Sequence, residues 1–540
     1  MSAPFDLMYS LRRAVPAACG WLLLCGPLTP TAAQAGDASQ WLPTRTLLQT
    51  QAVISPVDNA AFAPGTGAQP APAFNGRLTI AAARLQSQPA LAKSIVDGRD
   101  ALLFPGISLG FVTAGDVLVP VERGEMVRES APGKVASYWR VIAQFGRVWR
   151  EPGDDGWSRA ALPLMLVNDT ENHAHQGLAT FLYKDGKVSA LRMQFVQQTA
   201  PYLLSPHCVL WGAAAAGVAP LSESEVQAQR TAAQAELAAR LPSRPLSELR
   251  MQLPRGTLDG FGGPVLPKWQ VALGLVKDGT LYYEASPTRY GPYPYPLEMR
   301  FGVRSVMKSV AAPLSLLRLA EVYGPYVLNL HIGDYVAGLD PKWNRIRFID
   351  AANMATGFGG TGSLVTHPND PNSGYLDNDY DGWYTAPSNA DKLRHMNSHL
   401  KPYPWEPGTV MRYRDHDFYM LGIAVDAFLK SVRGPQADAW EMLQKEVFEP
   451  IGILHAPAVR TREAGGRDGP VWFNAGYYPT LDDLAKIALL YQDGGAHGGK
   501  QLLHQQLTVD LMAARGVLDQ KGDAAAGPAV ASPDGPATNL

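Results

Sequence analysis

The sequence predicts an α+β chain, with a β-rich N-terminal domain followed by a domain of helices packed on an antiparallel sheet. Three observations predict it. Strand signals dominate from about residue 76 to 212, a hairpin signal follows residue 265, and helical patterns then prevail. At 540 residues the chain is also too long for one ordinary core.

Taken in order, the first 35 residues read as a secretory signal. Arg12 and Arg13 form the positive start, Ala14 to Leu28 the apolar stretch, and Ala33-Gln-Ala35 a small-x-small cleavage site. The apolar run is short and broken by Pro16, Gly20 and Pro27, so no stable membrane span is expected. Cleavage after Ala35 implies a periplasmic or secreted protein. Of three cysteines, only Cys208 would remain, which excludes an internal disulfide. Beside Leu210 and Trp211 it reads as a small core residue. Residues 36–75, rich in Ala, Pro, Gln and Thr, read as a loose linker.

The β-rich domain is assigned to 76–255, with a helical linker at its end. Tyr138 to Phe145 and Gly177 to Tyr183 carry the β-branched and aromatic residues of strands, and Asp185-Gly186 turns the second into Val188 to Phe195. His173 and His175, at i and i+2, have no evident third metal ligand and read as a polar loop. Leu221 to Leu241 reads as an exposed, Ser-capped helix. The second domain, 256–540, opens on a hairpin around Lys277-Asp-Gly279. Helical patterns follow at Ser305–Tyr323, Asp350–Thr356, Tyr413–Leu429, Ala439–Val447, Thr480–Gln492 and Gln501–Arg515. Pro313 should kink the first of them.

Chemistry concentrates in Phe301-Gly-Val-Arg-Ser-Val-Met-Lys-Ser309. A serine and a lysine at i and i+3 share one helix face, about 5–6 Å apart at Cβ. A buried lysine loses its proton more readily and can help take that of the serine, here Ser305 and Lys308. Ser305 also lies where an extended segment meets a helix N-terminus, which favours a developing oxyanion. Ser398-His-Leu-Lys401 repeats the spacing, but Pro402 follows and should end the helix. Tyr413, in Tyr413-Arg-Asp415, is the candidate for passing the proton on.

From about 265 to 515 the chain resembles the serine β-lactamase-related family, which includes class C β-lactamases, D-alanyl-D-alanine carboxypeptidases and family VIII esterases. The hairpin at 277–279, the Ser305–Lys308 segment, Leu330-His-Ile-Gly-Asp-Tyr335 with Ile349 to Gly357, Glu406-Pro-Gly408 through Tyr413, and Asn474 to Leu484 with Asp493-Gly-Gly495 occur in that family's order. The resemblance implies a β-lactamase/transpeptidase-like fold. It also implies Ser305 as acylated nucleophile, Lys308 as its activator and Tyr413 as proton relay. The backbone N–H of Ser305 would be half of the oxyanion hole.

Two departures stand out. Asp415 replaces the family's Asn; it can pair with Lys308 but would repel a substrate carboxylate. The family's third motif, Lys-Thr-Gly or His-x-Gly, has its one candidate in His497-Gly-Gly499, which reads as a turn. No strand pattern follows Arg515, so the closing strands are expected to be missing. The expectation is therefore a serine hydrolase acting on a small ester or amide, without metal or cofactor. The alternative is a weak or inactive relative serving as a binding module. The net charge of −2 gives no reason to expect a nucleic-acid partner. The sequence leaves the oligomeric state open.

Overall fold

A computed structural model of the chain describes residues 42–49, 55–91, 95–96, 98–130, 133, 135–170, 172–199, 208–263, 270–359, 380–403, 405–521, 529–530 and 538–539. The expected signal segment and its cleavage site lie outside the described residues.

The chain is a mixed α+β structure built on a twelve-stranded antiparallel sheet. Its strands are β1 (Gly76–Ile80), β2 (Gln86–Gln88), β3 (Ile107–Ala114), β4 (Val117–Pro120), β5 (Arg140–Ala143), β6 (Gly146–Trp149), β7 (Ser158–Val167), β8 (Ala174–Lys184), β9 (Lys187–Val188), β10 (Leu191–Thr199), β11 (Val209–Ala214) and β12 (Ala216–Pro220). The spatial order is β12-β1-β3-β4-β6-β7-β8-β10-β11-β2, with β9 on β8 and β5 on β7. At the predicted hairpin Asp185 and Gly186 both take positive φ, and the register pairs Lys184 with Lys187.

Every residue of β7 is buried. The pleat sends alternate side chains to opposite faces, and both faces are covered. Ala160, Leu162, Leu164 and Leu166 join a core of sheet residues with Phe111, Phe181 and Phe195. Met165 and Val167, with Ile142 and Ala174, instead enter the core of the helical region. Ala161, Leu178 and Leu182 meet Tyr293, Met299 and Phe301. The segments on either side of residue 255 thus share two cores. Part of the expected linker is likewise packed: Leu42, Leu47, Ala61 and Phe62 are buried, and the Asn59 amide donates to Thr288 Oγ1 at 2.8 Å. Those apolar side chains correct the reading of 42–49 and 55–75 as loose.

Helix α1 (Glu223–Ala238) starts on a capping box of Ser222 and Glu225. A small sheet follows, in which β13 (Ser243–Pro245) lies parallel beside the hairpin of β14 (Ala272–Lys277) and β15 (Thr280–Ala285). The helical region contains α2 (Val306–Tyr323), α3 (Tyr380–Thr385), α4 (Asn389–His399), α5 (Asp415–Arg433), α6 (Leu481–Gln492) and α7 (Gln505–Lys521). The helix expected at Asp350–Thr356 is the shorter Phe348–Ala352. The last helix starts later than expected, because Lys500–Gln501 pairs with Ala496–His497 as a short hairpin. Helix α2 runs through Pro313. Proline cannot donate to the carbonyl four residues back, and that carbonyl, of Ser309, accepts the Tyr491 hydroxyl at 2.8 Å. Among the described residues no helix is long and apolar enough to cross a membrane.

Candidate active site

Ser305 stands where an extended segment enters α2. The Phe301 N–H donates to the Pro479 carbonyl at 2.9 Å, and that of Val303 to Tyr477 at 3.4 Å. Arg304 then takes φ of 46°, uncommon for a residue with a side chain, and Ser305 becomes the N-cap. Its hydroxyl makes no capping bond. Instead Lys308 Nζ donates to Ser305 Oγ at 3.0 Å.

Lys308, 5% exposed, is the centre of the cluster. Its ammonium also reaches Tyr413 OH at 3.2 Å and the Asn474 carbonyl at 3.1 Å, and it forms an ion pair with Asp415 Oδ1. The structure therefore brings all four sequence-predicted residues, Ser305, Lys308, Tyr413 and Asp415, around one nitrogen. Local chain geometry explains the meeting. Asp415 is the first residue of α5, and the apolar side chains that follow it, Phe418 to Leu421, are buried in the core that holds α2, so this end of the helix is fixed against α2. Tyr413 lies two residues earlier, and Asn474 belongs to the buried run Val471–Tyr478.

The charge on Lys308 differs from the sequence expectation. Burial pushes its pKa down, but the Asp415 carboxylate and the Tyr413 oxygen outweigh that effect, and the pKa lies above the ordinary lysine value. Lys308 is thus held as an ammonium. The sequence allowed Asp415 to pair with Lys308 but did not set that pair against burial. A buried ion pair favours its charged state when its geometry is good.

Sequence reasoning missed several neighbours. Tyr380, on α3, donates its hydroxyl to Asp415 Oδ2, so each carboxylate oxygen has its own donor. No local pattern marks Tyr380, which lies outside the predicted elements. Beyond Asp415, Thr356 Oγ1 donates to Asp417 Oδ1 at 2.8 Å. Burial raises Asp417 to about 8 and lowers His416 to about 3. Both are neutral near pH 7, so their 3.3 Å contact is not an ion pair.

Other candidates fall elsewhere. Ser398 is exposed and bonds the His395 carbonyl at 2.9 Å, and α4 ends at His399 as Pro402 suggested. His497 is exposed on its hairpin. Burial raises the Cys208 thiol to about 11, and the residue is 1% exposed. His175 lies in β8 and His173 at the end of the loop before it, and neither is solvated: both are fully buried, with their rings stacked 5.8 Å apart. Among the described residues no three His, Cys, Asp or Glu side chains gather as a metal site requires.

No family model matches the chain, and no curated protein does. It is similar to several solved structures. A protein described as a 6-aminohexanoate-dimer hydrolase of Bacillus anthracis has 21% identity and a TM-score of 0.35, over 45% of this chain and 59% of that one. A protein described as a beta-lactamase of Bacteroides dorei has 17% identity and a TM-score of 0.34, over 48% and 70%. A penicillin-binding protein homologue of Caulobacter crescentus has 15% identity and a TM-score of 0.30, over 52% and 75%. The matched part thus spans less than two thirds of the first of these proteins.

Proposed function

We propose that the chain is an exported serine hydrolase that cleaves a small ester or amide through an acyl-enzyme on Ser305. The observation that carries this reading is the Lys308 ammonium, buried and bonded at once to Ser305 Oγ, Tyr413 OH and the Asp415 carboxylate. Ser305 Oγ attacks the carbonyl carbon, and its proton passes through Tyr413 to the leaving oxygen or nitrogen. Water then attacks the acyl carbon and the serine is regenerated. Lys308, charged throughout, stands beside both oxygens between which the proton moves, and its field favours negative charge on either. The oxyanion meets the N–H of Ser305 at the start of α2, where the helix dipole is positive. A carboxylate at position 415 only accepts hydrogen bonds and offers none to a substrate carboxylate, which favours neutral esters or amides.

A fluorophosphonate probe tests the assignment. Wild type should be labelled on Ser305, and Ser305→Ala should not. Equal labelling of the two would remove Ser305 from the mechanism. Slow labelling of wild type without turnover of any simple ester would favour the binding-module reading.

A further inference from the structure

The loop between β7 and β8 meets the nucleophile turn directly, and its contact is made by one asparagine. Asn172 is 2% exposed. Its Oδ1 accepts the backbone N–H of Arg304 at 2.6 Å, and its Nδ2 donates to the Tyr477 carbonyl at 3.1 Å. The two partners lie on the segments that frame the candidate site. Arg304 precedes Ser305, and Tyr477 follows Asn474, whose carbonyl binds Lys308. The Arg304 N–H belongs to the residue with φ of 46°, a conformation that side chains disfavour and that persists where surroundings fix it. Asn172 has φ of 55°, which asparagine tolerates well. Backbone also meets backbone here: a Cβ on Gly302 would stand 1.9 Å from the Asn172 carbonyl oxygen.

We infer that Asn172 is a positioning residue for Ser305, so that the N-terminal sheet is part of the catalytic frame. This inference rests on the reading of Ser305 as the nucleophile. The side chain fixes the Arg304 turn, and the turn sets where Ser305 Oγ and the Ser305 N–H point. Its two hydrogen bonds also hold the turn in register with the segment that anchors Lys308. Displacing a reacting group by about 1 Å can cost two orders of magnitude in rate.

The test uses the full chain and the same fluorophosphonate, with the maximal labelling rate and the probe affinity measured separately. Asn172→Gly and Asn172→Ala both take the acceptor away from the Arg304 N–H, and glycine keeps the backbone conformation. Asn172→Asp keeps the acceptor for the Arg304 N–H and loses the donor to the Tyr477 carbonyl. In whichever acceptor-less variant folds, judged by near-UV circular dichroism, the maximal rate on Ser305 should fall about tenfold or more with affinity little changed. Asn172→Asp should recover part of that loss. A folded Gly or Ala variant labelling at the wild-type rate would overturn the inference while leaving Ser305 as nucleophile. So would an Asp variant as slow as the others. Wild type that is not labelled at all would defeat the serine-hydrolase reading itself, and this inference with it.

Discussion

Lys308 is charged because a carboxylate lies beside it, and Asp415 is therefore the residue that sets the electrostatics of the cluster. Replacing it by the amide, Asp415→Asn, leaves burial as the dominant influence, and burial lowers a lysine pKa. Activity that needs the ammonium would then be lost at a lower pH than in wild type. The expected result is a shift of the alkaline limb of kcat/KM to lower pH, read with a neutral ester. An unmoved limb would show that Asp415 does not govern the charge. Tyr380→Phe should leave the limb close to its wild-type position, since it removes one donor to the carboxylate and leaves its charge in place.

Among the elements, the turn from the extended segment into α2 is tightly packed. Gly302 has no room for a side chain, and the atom in the way is a backbone oxygen that cannot rotate aside. Gly302→Ala should cost about 1–3 kcal/mol in urea unfolding, the usual scale for overpacking, and should also slow labelling of Ser305. Wild-type stability in that variant would mean that the β7–β8 loop yields easily, which would weaken the case for a rigid frame. Helix α2 itself survives Pro313 because the orphaned Ser309 carbonyl has found the Tyr491 hydroxyl. That partner comes from α6, far along the chain.

For the whole molecule, the shared cores argue that the helical region does not stand alone. Met165 and Val167 of β7 sit in the same apolar cluster as Met307, Val310 and Leu314 of α2. A fragment of residues 256–540 would expose that face to water. It should lack near-UV circular dichroism and bind a hydrophobic dye; a native-like spectrum would sink the prediction. Stability should also depend on pH through Asp417. Its folded pKa of about 8 lies above the ordinary 3.8, so the unfolded chain releases this proton first. The contribution is full below pH 3.8 and is lost as pH rises through about 8. Asp417→Asn cannot ionise, so its stability relative to wild type should rise between pH 5 and pH 8 in urea melts.

The α+β class, the two Asp-Gly or Asp-Gly-like hairpins and most helices after residue 305 were written in local patterns. A turn needs its positive-φ residues, and an amphipathic helix its apolar face, wherever the chain later packs. The Ser305–Lys308 pair was legible for the same reason, since i and i+3 on a helix meet by geometry alone. Tyr413 and Asp415 came instead through a resemblance in motif order, and only their juxtaposition at Lys308 Nζ depends on the fold. Tertiary structure alone decided the charge of Lys308, because that depends on a carboxylate 107 positions away. It alone delivered Tyr380 to Asp415 and Asn172 to Arg304, contacts between segments with no sequence relation to each other. It also merged what composition divides into domains. Composition records that both β7 faces are apolar, but not which partner covers each face, and burial of that surface is what joins the sheet to the site.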